Sequence, residues 1–338
     1  MISIAIFNNK GGVGKTTLLC NLAAHYQINE RKRVLVIDAD PQCNATTYLL
    51  NDEELDSHYY ASSTPTPTLY DYMEPYQSGD DLVDPTIVKS SGFGVDLILG
   101  DTRLALMEDF ISGEWSNFTN AIQRSMKTLC FMRRLLDGLK DSYDYVFVDV
   151  GPSLGSLNRL IMLFTDCFLM PMSSDIFCLR AIDNISKSLS SWKEAFTKLC
   201  TEYSNLKGDR YKINGQVVEV NPMFIGYVNQ QYTSRSKDGV RRAVRAYDNI
   251  LVQIPEKIAN LLLPYYPEGY DIAKLKIGEI PNFNSLVPMS QSAHKAIFTL
   301  SASDGVFGSH FSKVDDFNDV IKVIAGNLNR NLTEYGMA

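Results

Sequence analysis

Residue types that could manage phosphate chemistry stand at three places in this 338-residue chain. The first is Asn8-Asn9-Lys10-Gly11-Gly12-Val13-Gly14-Lys15-Thr16-Thr17, followed by LLCNLAAHYQ, a run that fits a helix. Glycines let a backbone wrap around a polyphosphate so that several N–H groups point inward. A helix beginning near Lys15 adds its positive dipole end to the same spot. Lys15 is expected to neutralise the β/γ oxygens of a nucleotide and the Thr16 hydroxyl to ligate Mg²⁺. Gly11, Gly12, Val13, Gly14 and Thr17 complete the cradle.

One departure carries information. The common loop is GxxxxGK[ST], but Asn9 occupies the place of the first glycine, and a second lysine, Lys10, precedes Lys15 by five residues. This is the deviant Walker A pattern, KGGxGK[ST]. A lysine at the mouth of the loop is well placed to reach a nucleotide across a dimer interface.

The second place is Val36-Ile37-Asp38-Ala39-Asp40-Pro41-Gln42-Cys43-Asn44. Phosphoryl transfer to water needs one carboxylate to position the nucleophile and another near the metal. Asp38 and Asp40, at i and i+2, point the same way from an extended strand. The third place is Asp149, which ends the apolar run Tyr145-Val146-Phe147-Val148 and leads into Gly151-Pro152. A strand-terminal aspartate there is the Walker B arrangement, holding Mg²⁺ directly or through water. Alone it would read as a cap or turn residue; beside a phosphate loop it reads as a metal ligand.

These side chains need a scaffold that brings strand ends together. Short apolar runs at Ile2–Phe7, Arg33–Asp38, Val95–Leu99, Tyr145–Asp149, Cys167–Pro171, Met223–Asn229 and Lys274–Ile280 read as buried strands, with helical spacing between most of them. Strands apolar on both faces and alternating with helices predict an α/β fold: a mostly parallel twisted sheet covered by helices on both sides. Ligands in such sheets bind at the carboxyl ends of the strands, where the three motifs fall. The pattern reads as one domain over residues 1–338 with insertions at about 51–92 and 201–222. The first insertion carries Thr-Pro repeats and reads as loop with some short helix. The second reads as a hairpin around Gly215-Gln216. Phe317, Val320, Ile321 and Ile324 predict a terminal helix packed on the core.

Composition narrows the partners. A net charge of −7 leaves no bulk positive field for nucleic acid, so any DNA contact needs a local basic patch. No apolar run approaches a membrane span, and MISIAIFNNK turns polar too soon for a signal peptide. The six cysteines include no CxxC pair and read as small buried hydrophobes in a reducing compartment. A cytoplasmic protein is expected.

Together KGGVGKTT, IDADPQCN and YDYVFVDVGPSLG resemble, in order, the Walker A, A′ and B motifs of the ParA/MinD branch of the SIMIBI P-loop ATPases, most nearly the ParA-type partition ATPases. LYDY at Leu69–Tyr72, DTRLALME, IGYVNQQY and IGEIPNFNSL resemble later segments of that family. The resemblance implies ATP with Mg²⁺, slow partner-stimulated hydrolysis, and a nucleotide-sandwich homodimer in which Lys10 contacts the ATP of the other subunit. It implies Asp40 as the residue orienting the attacking water, Asp38 near the metal, Asn229 against adenine and Pro281 flanking the base. Two departures stand out. After the Walker B aspartate the family usually carries a small polar residue and two prolines, whereas Val150-Gly151-Pro152 stand here. The chain also reads as lacking the N-terminal helix-turn-helix of longer partition ATPases, so operator reading is not expected.

The load of such a switch has two readings. A predicted helix after Asn229 carries Arg235, Lys237, Arg241, Arg242 and Arg245, with 237, 241 and 245 on one stripe that could hold DNA phosphates non-specifically and associate the dimer with the nucleoid. The plain alternative is a solvated helix face. In the partition reading a ParB-like or other protein stimulates hydrolysis. In the other, the same dimer positions or regulates a non-DNA assembly such as a secretion, envelope or defence complex, with the long insertions as partner surfaces. The closing NLNRNLTEYGMA is too polar for a MinD-like membrane anchor, and the lack of CxxC speaks against an iron–sulfur cluster.

Overall fold

Alternate side chains of a strand point to opposite faces, so a strand apolar at every position must be covered on both sides. The computed structural model follows that rule. It describes residues 1–60, 64–80, 83–116, 122–230, 241–283 and 285–337, with side chains for all of these except 241–249. The strands are β1 Ile2–Ile6, β2 Val34–Asp38, β3 Val88–Lys89, β4 Asp96–Ile98, β5 Tyr145–Asp149, β6 Cys167–Ser173, β7 Lys212–Ile213, β8 Gln216–Val217, β9 Met223–Gln230 and β10 Lys276–Ile280. The helices are α1 Lys15–Ile28, α2 Asn44–Leu49, α3 Asp52–Tyr59, α4 Leu69–Met73, α5 Pro75–Ser78, α6 Leu104–Ser116, α7 Ile122–Leu129, α8 Phe131–Leu139, α9 Ser156–Phe164, α10 Ile176–Lys207, α11 Arg241–Leu261, α12 Leu286–Ala293 and α13 His310–Glu334.

Among the described residues, eight strands form one sheet in the order β10-β9-β6-β1-β5-β2-β4-β3. Every pairing in it is parallel except β3 against β4, a two-residue antiparallel edge. This is the expected α/β architecture. One face, through Ala5, Leu35, Ile37, Val146 and Val148, joins the core under α6 to α11. The other, through Ile4, Ile6, Val36 and Phe147, packs on α1, α2, α12 and α13.

The two segments read as insertions carry secondary structure of their own. Residues 201–207 belong to the 32-residue α10, which continues past the predicted boundary and stops at Gly208, in the left-handed conformation that suits a helix end. The hairpin β7–β8 follows, turning at Asn214 and Gly215, both with positive φ as a two-residue hairpin turn requires. Between 51 and 92 the chain folds into α3, α4, α5 and β3. Capping boxes at Asn51–Glu54 and Thr68–Asp71 start α3 and α4, and Tyr70 and Tyr72 are core residues rather than loop. The terminal helix α13 begins earlier than predicted and buries Phe317, Ile321, Ile324, Leu328 and Leu332. No helix among the described residues is long and apolar enough to cross a membrane.

Candidate functional site

Sheet order and register assemble the site. β5 lies between β1 and β2, pairing Ile6 with Asp149 and Asp149 with Asp38. The loop from Asn8 to Gly14 therefore leaves the sheet beside both aspartates. Gly12 and Gly14 adopt φ of 72° and 71°, and Gly14 immediately precedes α1, whose first amides face the loop. Buried Asn8 fixes the loop mouth: its Nδ2 donates to the Pro171 carbonyl at 2.8 Å, and its Oδ1 accepts from the Lys10 amide at 3.1 Å.

A cavity of about 440 Å³ opens over this loop. Gly11, Gly12, Gly14, Lys15, Thr16 and Thr17 form one wall; Asp40, Gln42, Asn44, Thr47 and Tyr48 form the other, with Pro152 and Gln291 at the rim. Lys15 is only 8% exposed. Burial lowers its pKa, and Asp149 and Asp40 offset part of that. Its Nζ reaches the Lys10 carbonyl at 3.3 Å.

Thr16 Oγ1 donates to Asp149 Oδ2 at 2.8 Å, while Asp149 Oδ1 is buried with no hydrogen-bond partner. Burial, then the neighbouring Asp38, push the Asp149 carboxyl well above the usual carboxylate range. Asp38 is pushed up to about 6, chiefly by burial, although it accepts from the Thr46 amide at 2.7 Å and the Asp40 amide at 3.2 Å. Two carboxylates in a dry, electron-rich corner with an orphaned oxygen beside a hydroxyl suit a divalent cation. No cluster of three or more His, Cys, Asp or Glu with metal-holding geometry occurs among the described residues. Asp38 differs from Asp149 in having both oxygens already engaged by amides.

Asp40 stands at the cavity, 4% exposed, with Oδ1 accepting from the Gln42 amide at 3.0 Å. After Asp149, Val150 is fully buried in the core, which explains a valine where the resemblance led one to expect a small polar residue.

A second crevice, about 270 Å³, adjoins the first across Gly12, Gly14 and Thr17. Leu18, Ile280, Pro281, Phe283, Val287 and Phe317 make it largely apolar. Val13 and Pro281 line it, as does Gln230. Asn229, the residue singled out from sequence, is buried one position earlier with its Oδ1 unpartnered. Lys10 lines the same crevice, its Nζ bonded to Ser173 Oγ at 3.0 Å and ion-paired with Asp175 of the same chain. Gln230 and Gln291 were missed: adjacent polar residues at a strand end do not reveal which faces in, and Gln291 lies far along the chain. Arg235 and Lys237 lie outside the described residues, as do the side chains of Arg241, Arg242 and Arg245, which open α11.

The model of the AAA domain family AAA_31 matches residues 1–200. The chain belongs to this family. Among relatives of this AAA_31 protein, the sporulation initiation inhibitor protein Soj of Bacillus subtilis is 31% identical over 182 residues, 54% of this chain and 62% of Soj. The chromosome partitioning protein ParA of Myxococcus xanthus is 27% identical over 192 residues, 56% of this chain and 59% of that protein. The chain thus spans about three fifths of the length of these curated relatives. A crystal structure of a Corynebacterium diphtheriae protein superposes with a TM-score of 0.71 at 25% identity, covering 98% of this chain and 99% of that one. Within AAA_31, sequence and fold place the chain with the ParA-type P-loop ATPases.

Proposed function

We propose that this chain binds and hydrolyses Mg·ATP and uses the cycle as a dimerisation switch in DNA partition. The observation that carries the reading is the Thr16–Asp149 pair, with Asp149 Oδ1 unsatisfied, beside a cavity lined by Lys15, Thr16 and Asp40. The loop amides and Lys15 hold the β- and γ-phosphates, and Thr16 and Asp149 hold the cation. Bound Mg²⁺ supplies neutralisation of the charge on the phosphate oxygens. Asp40 orients a water toward the γ-phosphorus, and the base lies in the apolar crevice against Pro281, within reach of Gln230.

The dimer rests on Lys10, which must leave Asp175 to reach a nucleotide bound by a second copy. Partition rests on what the relatives are named for and on the arginines that open α11. A stimulating protein partner of the ParB kind belongs to the same reading. The test is an Asp40→Ala chain incubated with Mg·ATP: it retains nucleotide, does not turn it over, and runs as a dimer by light scattering. An Asp40→Ala monomer with ATP bound sinks the dimer mechanism. DNA retention with ATP but not ADP, lost in Arg241→Ala/Arg245→Ala, tests the load; no retention with ATP, or retention indifferent to those arginines, sinks the partition reading and favours a non-DNA assembly.

A further inference from the structure

The segment after Asp149 departs from its family at Gly151, and the structure gives that departure a use. We propose that Gly151 is a positioning residue for hydrolysis: without a side chain, it lets the Asp40 carboxylate lodge against the backbone that follows Asp149. The inference rests on the ATPase reading above.

A Cβ at position 151 would stand 3.0 Å from Asp40 Oδ1, 3.4 Å from its Cγ and 3.7 Å from Oδ2. The nearest of these is tighter than ordinary van der Waals contact, so one partner must yield by a few tenths of an ångström. The loop is held against yielding. Buried Asn158 donates from Nδ2 to the Gly151 carbonyl at 2.9 Å and to the Ser153 carbonyl at 2.8 Å. Val150 is locked in the core on one side. On the other, Glu108 accepts from the Ser156 amide at 2.5 Å, the Ser156 hydroxyl at 2.7 Å and the Leu157 amide at 3.2 Å, fixing the start of α9. Asp40 is held more loosely: Oδ1 has the Gln42 amide, and Oδ2 has only Asn44 Nδ2 at 3.5 Å. An added methyl therefore displaces the carboxylate, not the loop. Gly151 is absent from the glycines with positive φ, so alanine there tests space and not backbone strain.

A carboxylate that aims a water loses rate when its oxygen shifts, because in-line attack depends on placement at sub-ångström scale. Phosphate and metal contacts lie on Lys15, Thr16 and Asp149, which Gly151 does not touch among the distances above. The mark of the role is a split between rate and affinity.

The experiment compares the full chain with Gly151→Ala, Asp40→Ala and the double variant. Single-turnover hydrolysis of Mg·ATP is measured alongside calorimetric affinity for ATPγS and melting without nucleotide. Gly151→Ala is expected to hydrolyse about tenfold more slowly with its ATPγS affinity within about twofold. It is expected to lower Tm when Asp40 is present and to leave Tm unchanged when Asp40 is alanine, because the obstructing carboxylate is gone. Wild-type turnover in Gly151→Ala overturns the proposal, as does a rate loss matched by equal loss of affinity, or the same Tm drop in both backgrounds. A wild-type chain that binds Mg·ATP without turning it over overturns the ATPase reading instead and is recognised in the wild-type reaction alone; the melting cycle then still decides whether Gly151 seats Asp40.

Discussion

At the phosphate end of the cleft, polar atoms from three adjacent strand ends converge: Thr16 on Asp149, the Thr46 and Asp40 amides on Asp38, the Gln42 amide on Asp40. At the crevice end the wall is apolar, drawn from α1, the segment after β10, α12 and α13, and held by contacts such as Phe283 against Phe317 with ring centroids 5.1 Å apart. The first end is electrostatically incomplete, with a lysine and two carboxylates desolvated together and one oxygen unsatisfied. The second is already packed. Substitutions at the phosphate end should therefore act on ligand and cation, and substitutions at the crevice should act first on the fold.

The largest effect is expected at the packed end. Phe317→Ala removes a nearly fully buried ring and should cost about 4 kcal/mol of stability in a urea melt. A drop below about 1 kcal/mol would mean that the crevice is not part of the core, and the contrast would collapse. Next comes Lys15→Ala, which leaves the phosphate end without its ammonium; calorimetry with ATPγS should show affinity at least about a hundredfold weaker, with Tm little changed.

A pH effect follows, of about tenfold per unit for each proton displaced. The raised carboxyls of Asp38, near 6, and Asp149 mean that the ligand-free fold keeps protons the unfolded chain has released. Their contribution to stability is fully present below the ordinary carboxylate pKa; that of Asp38 is lost as pH rises through about 6, and that of Asp149 is lost in the same direction. Mg·ADP needs the ionised carboxylates, so the Tm difference between loaded and ligand-free protein should narrow from pH 7.5 to pH 5.5. An unchanged difference would show that cation binding displaces no proton there. The smallest effect sharpens the comparison at the crevice: Gln230→Ala should weaken ATPγS binding by about fivefold and Asn229→Ala by less, and the reverse order would return the base contact to Asn229.

Legibility from sequence divides along the same line. Tyr145–Asp149 was bounded to the residue because five apolar or terminal-acidic positions sit between polar turns. The phosphate loop was legible because its chemistry is local: glycine, lysine and threonine within one turn. The crevice was legible only at Val13 and Pro281, because Phe317 reaches it only through the packing of α13, just as Gln291 reaches the phosphate cavity only through α12, and no spacing rule links residue 18 to residue 317. β3 was missed because two residues make no pattern. The end of α10 was cut short because its last turns are polar, yet Leu199 is buried and Tyr203 meets Tyr211 edge to face. Val150 and Gly151 were legible as departures from a family, but only the folded loop shows what each one touches.

The pairing of Asp38 with Asp149 across β2 and β5 also says how this protein can be redesigned. Side chains alternate along a strand, so deleting one residue from either strand would turn an aspartate to the opposite face and separate the pair. Additions at the exposed turn of Asn214 and Gly215 leave that register untouched. A fluorophore or affinity tag belongs in the hairpin; the strands are a ruler with no slack.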